Sequence, residues 1–216
     1  MEVVVGVEFM SSKNSFPRFL HIRFFFALFA ALAVLVFLPA SRAQESVVQF
    51  DLAQTKIEFT LGASLHTVHG DFKLKSGMIR FNPSTGAISG TIIVDATSGD
   101  SGNGGRDRRM HREILESDKF PEILFTPRQV TGALAAEGPS KVEVSGQFRL
   151  HGQDHDVTFP IDVLSGGQQL QLATRLVIPY VQWGLRNPST FILRVSDKVT
   201  IDIHAVGHVT NAAASH

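Results

Sequence analysis

The chain has 216 residues, 20 Lys/Arg against 20 Asp/Glu, and no cysteine. A formal charge of zero argues against a polyanion partner, so nucleic acid is not expected. The missing thiols exclude a disulfide framework, a thiolate metal site and a lipoprotein anchor.

In chain order the first segment reads as a secretory leader. Arg18 and Arg23 precede an uncharged apolar run from Phe24 to Leu38, and Ser41-Arg42-Ala43 offers small residues at the two positions a signal peptidase inspects. The run is shorter than the roughly 20 residues of a spanning helix, which argues against an uncleaved anchor. Cleavage is expected after Ala43, leaving residues 44–216 as one domain that is periplasmic or secreted and does not span the membrane. Met10 is an alternative start to Met1, because the stretch before Arg18 is long for a leader's basic region. The leader holds eight of the 17 Phe, and without it the charge becomes 16 basic against 18 acidic residues.

From Lys56 to Val206 charge and hydrocarbon alternate with a period of two, the signature of half-buried antiparallel strands. Lys56 to Leu61 puts Ile57, Phe59 and Leu61 on one face. Strands follow at about 66–74, 77–82, 87–95 and 122–131. Lys141 to Leu150 opposes Val142, Val144, Gly146, Phe148 and Leu150 to its charges; Val157, Phe159, Ile161 and Val163 do the same. The last strands are expected at about 168–178 and 191–206. The sum is an all-β antiparallel barrel of about eight strands. An outer-membrane barrel is disfavoured, since strands such as Gln168 to Ile178 lack an aromatic girdle and the lumen of so small a barrel is too narrow for the charges.

An interior of this width holds either packed side chains or one small ligand. The inward set mixes Gly70, Gly90 and Gly146 with Phe59, Phe72, Phe125, Phe148 and Phe159, which predicts gaps beside large rings, although glycines also serve sheet bending. Inward polar groups are few, His66 and Thr174 being the exceptions, so the contents are expected to be hydrocarbon.

The segment Ser98 to Leu115 breaks the strand pattern. A Gly-rich loop leads into a short helix after Gly105, with Asp107 as expected N-cap and Met110, Ile114 and Leu115 on one apolar stripe. The loop lacks the Lys-Ser/Thr ending of a phosphate-binding loop. Arg106, Arg108, Arg109 and Arg112 form either a solvated face or a rim for acidic or lipid head groups.

The ordered set Phe59, Val68-His69-Gly70-Asp71-Phe72, Arg106-Asp107 with Met110, Ser117-Asp118-Lys119-Phe120-Pro121, Gly146-Gln147-Phe148-Arg149-Leu150-His151-Gly152, Trp183-Gly184-Leu185 and Ser196-Asp197-Lys198-Val199 resembles the YceI-like polyisoprenoid-binding proteins. The resemblance implies an extended lipocalin-like barrel, exported to the periplasm, that carries or stores an isoprenoid or quinone-like amphiphile, with homodimers known in the family. It implies wall positions Phe59, Phe72, Phe125, Phe148 and Phe159, with Met110, Leu115 and Trp183 at a lid or rim. A head group would meet Arg106, Arg109, His66 or Asn187. The chain departs from the family pattern at Ser98 to Gly105 and at Asn187-Pro188-Ser189-Thr190, both in loops.

No enzyme activity, metal or cofactor is expected. His66 and His69 have opposite strand parity and make a poor chelating pair. His151 and His155 are expected to flank a solvated turn at Gly152-Gln153-Asp154. Glu113 and Asp118 near His111 lack a nucleophile or oxyanion hole at a recognisable spacing. The remaining alternatives are a stress-protective barrel with a filled core and, behind it, a histidine-dependent metal hydrolase.

Overall fold

The alternating segments form one closed wall. The computed structural model describes residues 45–211, so the expected leader and its cleavage point after Ala43 lie outside the described residues. Among the described residues, nine strands are β1 (Ser46–Phe50), β2 (Lys56–Gly62), β3 (Thr67–Phe81), β4 (Ile88–Asp100), β5 (Glu122–Thr131), β6 (Gly138–Leu150), β7 (Gln153–Gly166), β8 (Gln169–Ile178) and β9 (Val199–Asn211). A helix α1 (Gly104–Arg109) and a π-helical turn (Met110–Ile114) lie between β4 and β5. No helix among the described residues is long and apolar enough to cross a membrane.

Sequential neighbours from β2 to β9 pair antiparallel, and β2 closes the ring by pairing with β9. β1 pairs with the far halves of β3 and β9, so β1 and β2 occupy one position in an eight-position barrel. The break between them is an Asx turn. Asp51 Oδ1 accepts hydrogen bonds from the N–H groups of Ala53 (2.8 Å) and Gln54 (3.0 Å), and Thr55 Oγ1 donates to Asp51 O (2.6 Å).

The expected faces hold: Ile57, Phe59, Val142, Val144, Leu150 and Val163 are buried, while Lys56, Glu58, Lys141 and Asp162 are exposed. Three boundaries differ. The two strands expected at 66–74 and 77–82 are one, because the register shift between Leu74 and Ser76 is a bulge and not a turn. Lys75 and Ser76 both face out, and the inward phase passes from Leu74 to Gly77. β1 was not expected at all, since five residues carry too little alternation to stand out. The strand expected from 191 begins only at Val199. Before it, Ser189 Oγ accepts from Val195 N–H (2.8 Å) and Asn187 Nδ2 donates to Val195 O (3.3 Å), so side chains take the backbone groups a ladder would have used.

The barrel is packed at one end. Val48, Phe50, Ile57, Leu74 and Ala205 form one buried cluster there, and Val142, Val144 and Val163 another. At the opposite end β7 and β8 part company. Their pairing covers only Asp162–Gly166 against Gln169–Ala173. Pro160 turns toward β8 with a carbonyl and no N–H, and its oxygen accepts from Thr174 Oγ1 at 2.7 Å, which ends the ladder. The seam is covered by the turn after β8: Trp183 stacks on the His155 ring at 4.0 Å and 3° and packs on Phe148 at 5.7 Å.

Candidate ligand cavity at the helix end of the barrel

A cavity of about 580 Å³ occupies the end opposite the packed clusters. Its walls come from the strand ends around the rim: Phe59 and Leu61 of β2, Val68 and Phe72 of β3, Phe148 and Leu150 of β6. Ile178, Tyr180, Val199 and Ile201 close the circle. The helical segment covers it with Met110, Ile114 and Leu115, the stripe expected from the sequence.

That segment is held by a different set of bonds from those expected. Asn103, not Asp107, caps α1: its Oδ1 accepts from Gly105 N–H (3.1 Å) and Arg106 N–H (3.0 Å). The helix therefore starts within the glycines, at Gly104. Asp107 instead accepts from the Ser101 N–H at 3.0 Å and from the Ser101 hydroxyl. Burial pushes the Asp107 carboxyl up, but these bonds and the Arg106 charge outweigh it and hold it below the ordinary carboxylate range. Arg106 reaches the same serine, donating from Nε to its Oγ and from Nη2 to its carbonyl, both at 2.7 Å. His111 ties the π turn to β4: Nε2 donates to Gly99 O at 2.9 Å and Nδ1 accepts from Ser117 Oγ at 3.2 Å.

Of the residues expected at a site, Phe59, His66, Phe72, Met110, Leu115 and Phe148 line this cavity. Phe125 and Phe159 do not; their rings pack together at 5.2 Å, Phe125 on the Val142, Val144 and Val163 cluster and Phe159 on the buried cluster of Leu150, Leu176 and Ile178. Trp183 lies behind Phe148 in the seam. Arg106 and Arg109 are at the mouth, whereas Asn187 is turned to Val195 O.

The glycines do not leave the gaps expected of them. A Cβ on Gly70 would stand 2.5 Å from the Phe59 ring, one on Gly99 2.6 Å from Phe72, and one on Gly146 2.9 Å from Phe125, so rings fill the spaces. Gly90 serves the backbone, with φ of 115°. The hollow therefore does not come from missing side chains at these glycines; it lies where strand ends, the helical segment and the loops after β8 meet. Alternation could have supplied the wall residues Ile123, Val199 and Ile201; Tyr180, Pro188 and Leu193 lie in irregular chain and carry no such signal.

Polarity is confined to the mouth and to one internal group. Tyr180 Oη donates to Ser196 O at 2.6 Å, and burial, helped by the Asp197 charge, pushes the phenol up to about 12. Its hydroxyl is thus a neutral donor with its partner in place. Apart from His66, the histidines lie away from the lining. His69 meets Thr60 Oγ1 at 3.1 Å on the outer face, away from His66. The β6–β7 turn is His151-Gly152, two residues long with φ of 52° and 76°, and not the three-residue turn expected after it. His151 is not solvated: Nε2 donates to Glu116 at 2.8 Å and the ring packs on Phe120. No three His, Asp or Glu side chains among the described residues converge as metal ligands would. A second hollow, of about 690 Å³, lies on the outer face beside Gln54 and the Lys141–Asp162 ion pair.

The YceI-like domain model matches residues 48–207, from within β1 to within β9. The chain belongs to the YceI-like family. It is 24% identical over 188 residues to a UPF0312 protein of Vibrio cholerae, covering 82% of this chain and 94% of that one. A UPF0312 protein of Vibrio parahaemolyticus is 29% identical over 148 residues, 65% of this chain and 75% of the relative. Two solved structures share the fold. Burkholderia cenocepacia BcnA has a TM-score of 0.60 and 21% identity, over 73% of this chain and 98% of its own. A polyisoprenoid binding domain from Saccharophagus degradans, implicated in plant cell wall breakdown, has a TM-score of 0.57 and 15% identity, over 76% and 98%. In this YceI-like barrel the helical insertion between β4 and β5 forms one side of the cavity mouth.

Proposed function

We propose that this YceI-like protein is an exported carrier or store for one long apolar chain of the isoprenoid class, held in the helix-end cavity without chemistry. The observation that carries the reading is the division of the barrel: one end is packed, while the other encloses about 580 Å³ between hydrocarbon walls. That volume lies within the range of small-molecule sites, about 300–1,000 Å³. Each buried CH₂ contributes about 0.8 kcal/mol, so a tail of several isoprene units offsets an association cost of about 4–15 kcal/mol. The description of the Saccharophagus degradans neighbour as a polyisoprenoid binding domain supports the class, and the leader-like residues 1–43 support export.

In this reading Phe59, Phe72, Phe148, Met110 and Leu115 touch the chain, and His66, Arg106 and Arg109 meet its head group at the mouth. The buried phenol of Tyr180 is bonded to Ser196 O, and His66, the one imidazole on the lining, stands exposed at the mouth, so this reading gives neither a catalytic role. Mass spectrometry of an organic extract of the protein, purified gently from cells, tests it. A stoichiometric isoprenoid is expected; a clean extract from a folded barrel would move the reading to a protective protein whose hollow stays empty.

A further inference from the structure

Two loops beside the cavity mouth are tied into one ledge. Ser64 N–H donates to Arg194 O at 2.8 Å, Arg194 N–H donates to Ser64 Oγ at 3.2 Å, and Ala63 pairs with Val195. The tips of that ledge are large apolar side chains in water: Leu65 is 73% exposed, Phe191 97% and Ile192 81%. Isolated apolar residues on a surface are ordinary. These three sit on loops that hydrogen-bond to each other, and their chain neighbours His66 and Leu193 line the cavity.

The charge around the ledge is mostly positive. Residues 62–66, 104–115 and 186–194 carry six arginines, Arg106, Arg108, Arg109, Arg112, Arg186 and Arg194, against the two carboxylates Asp107 and Glu113. Both carboxylates are committed, Asp107 to Ser101 and Glu113 to Arg109 and Arg186, each at 3.3 Å. The Glu113–Arg186 pair also ties the helical segment to the 186–194 loop on the same side of the molecule. Of the carboxylates that flank these segments, Asp100 accepts from the Gly102 N–H inside its own turn, and Glu116 pairs with Lys119 and His151. The rest of residues 45–211 carries ten basic against sixteen acidic groups, so an otherwise acidic protein is basic where its cavity opens.

We propose that this mouth docks on an anionic phospholipid bilayer, with Leu65, Phe191 and Ile192 entering the interface and the arginines facing lipid phosphates. Apolar tips ringed by cations are the composition that binds such surfaces. A second copy fits less well: two arginine rims would oppose each other, and three side chains of under about 200 Å² each fall short of the about 800 Å² per partner of a standard interface. The inference gives the carrier reading a route for its ligand, but the docking is read independently of any ligand.

The test is Phe191→Trp in the full chain, compared with the parent, whose single tryptophan is Trp183. Because Phe191 is 97% exposed, the substitution leaves the core untouched. With vesicles of phosphatidylcholine and phosphatidylglycerol, the added emission is expected to shift to the blue and to be quenched by brominated acyl chains. The shift is expected to weaken with salt and to vanish with phosphatidylcholine alone. Arg108→Glu combined with Arg194→Glu should lower partitioning by about tenfold. The reporter reads position 191 itself, so lipid affinity elsewhere in the chain cannot stand in for it. An unshifted Trp at 191, or one quenched equally on neutral vesicles, overturns the proposal. A shift that grows with protein concentration in the absence of lipid overturns it in favour of a second copy. Extraction of an isoprenoid does not enter this readout, so failure of the carrier reading and failure of the docking are separate results.

Discussion

Phe59 lays its ring over the bare Cα of Gly70, its cross-strand partner in the β2–β3 pair. A methyl group there would stand 2.5 Å from two ring carbons and 2.2 Å from Asp100 O. Gly70→Ala therefore forces the ring into the cavity or the backbone of β4 outward. Overpacking of this kind costs about 1–3 kcal/mol. Urea denaturation is expected to show a lower midpoint, and an unchanged midpoint would mean that the ring has room to turn aside.

The two ends of the barrel should respond differently to changes of volume. Leu74→Ala, in the packed cluster, is expected to cost about 2–5 kcal/mol and to leave an apolar ligand bound. Leu115→Trp, on the helical face of the cavity, should keep most of the stability while displacing the ligand. Thermal melting together with ligand content in the organic extract checks the pair; loss of ligand from both variants would contradict the division of labour between the ends.

Tyr180 is the only tyrosine, so its ionisation can be followed by tyrosinate absorbance without interference. Its phenol, raised to about 12 by burial first and the Asp197 charge second, stays protonated after that of the unfolded chain has ionised near 10. The unfolded state then binds fewer protons than the native state. Stability should be complete below pH about 10, fall between about 10 and 12, and lose nothing further above. Tyr180→Phe removes this alkaline limb, at a cost of about 1 kcal/mol from the lost bond to Ser196 O. A titration midpoint at the ordinary phenol value would place the side chain in water.

Glu116 and His151 each stand in the left-handed region, with φ of 45° and 52°, and their side chains meet at 2.8 Å. The pair fastens the end of the helical segment to the β6–β7 turn. Lys119 first, and His151 second, hold the Glu116 carboxyl below its usual range. The native state thus binds fewer protons there than the unfolded state as pH falls below the ordinary glutamate value. The contribution is present above that value and is lost as pH falls through the lowered native one. Glu116→Gln should make unfolding less dependent on acid between pH about 5 and 3. Equal slopes for parent and variant would show that the contact carries no linkage.

Trp183 covers the seam that Pro160 opens between β7 and β8. Trp183→Ala should cost about 3 kcal/mol, the low end for loss of a large aromatic, because the ring is only half-buried. Hydrogen exchange of the amides in β8 from Arg175 to Ile178 is expected to accelerate, while those of Gln169–Ala173 keep their protection. Uniform acceleration would mean that the barrel opens as one unit.

Local pattern by itself determined the barrel and most of its inward faces. A strand's period of two is set by its own residues, so Ile57 against Glu58, or Val142 against Lys141, could be placed without a partner strand. The apolar stripe Met110, Ile114 and Leu115 was legible for the same reason, and a resemblance spread over ordered motifs supplied the family. Which strands share a position in the closed ring, and which part of its interior stays vacant, were not legible. That β1 and β2 share one position depends on hydrogen bonds to β3 and β9, which are distant in sequence. That Phe59, Phe72 and Phe148 border a hollow while Phe125 and Phe159 pack on each other depends on which strand ends, loops and helical residues the fold brings together. Parity is fixed by two adjacent residues, but empty space is a property of everything that surrounds it, and only the tertiary structure decided which half of the interior was left open.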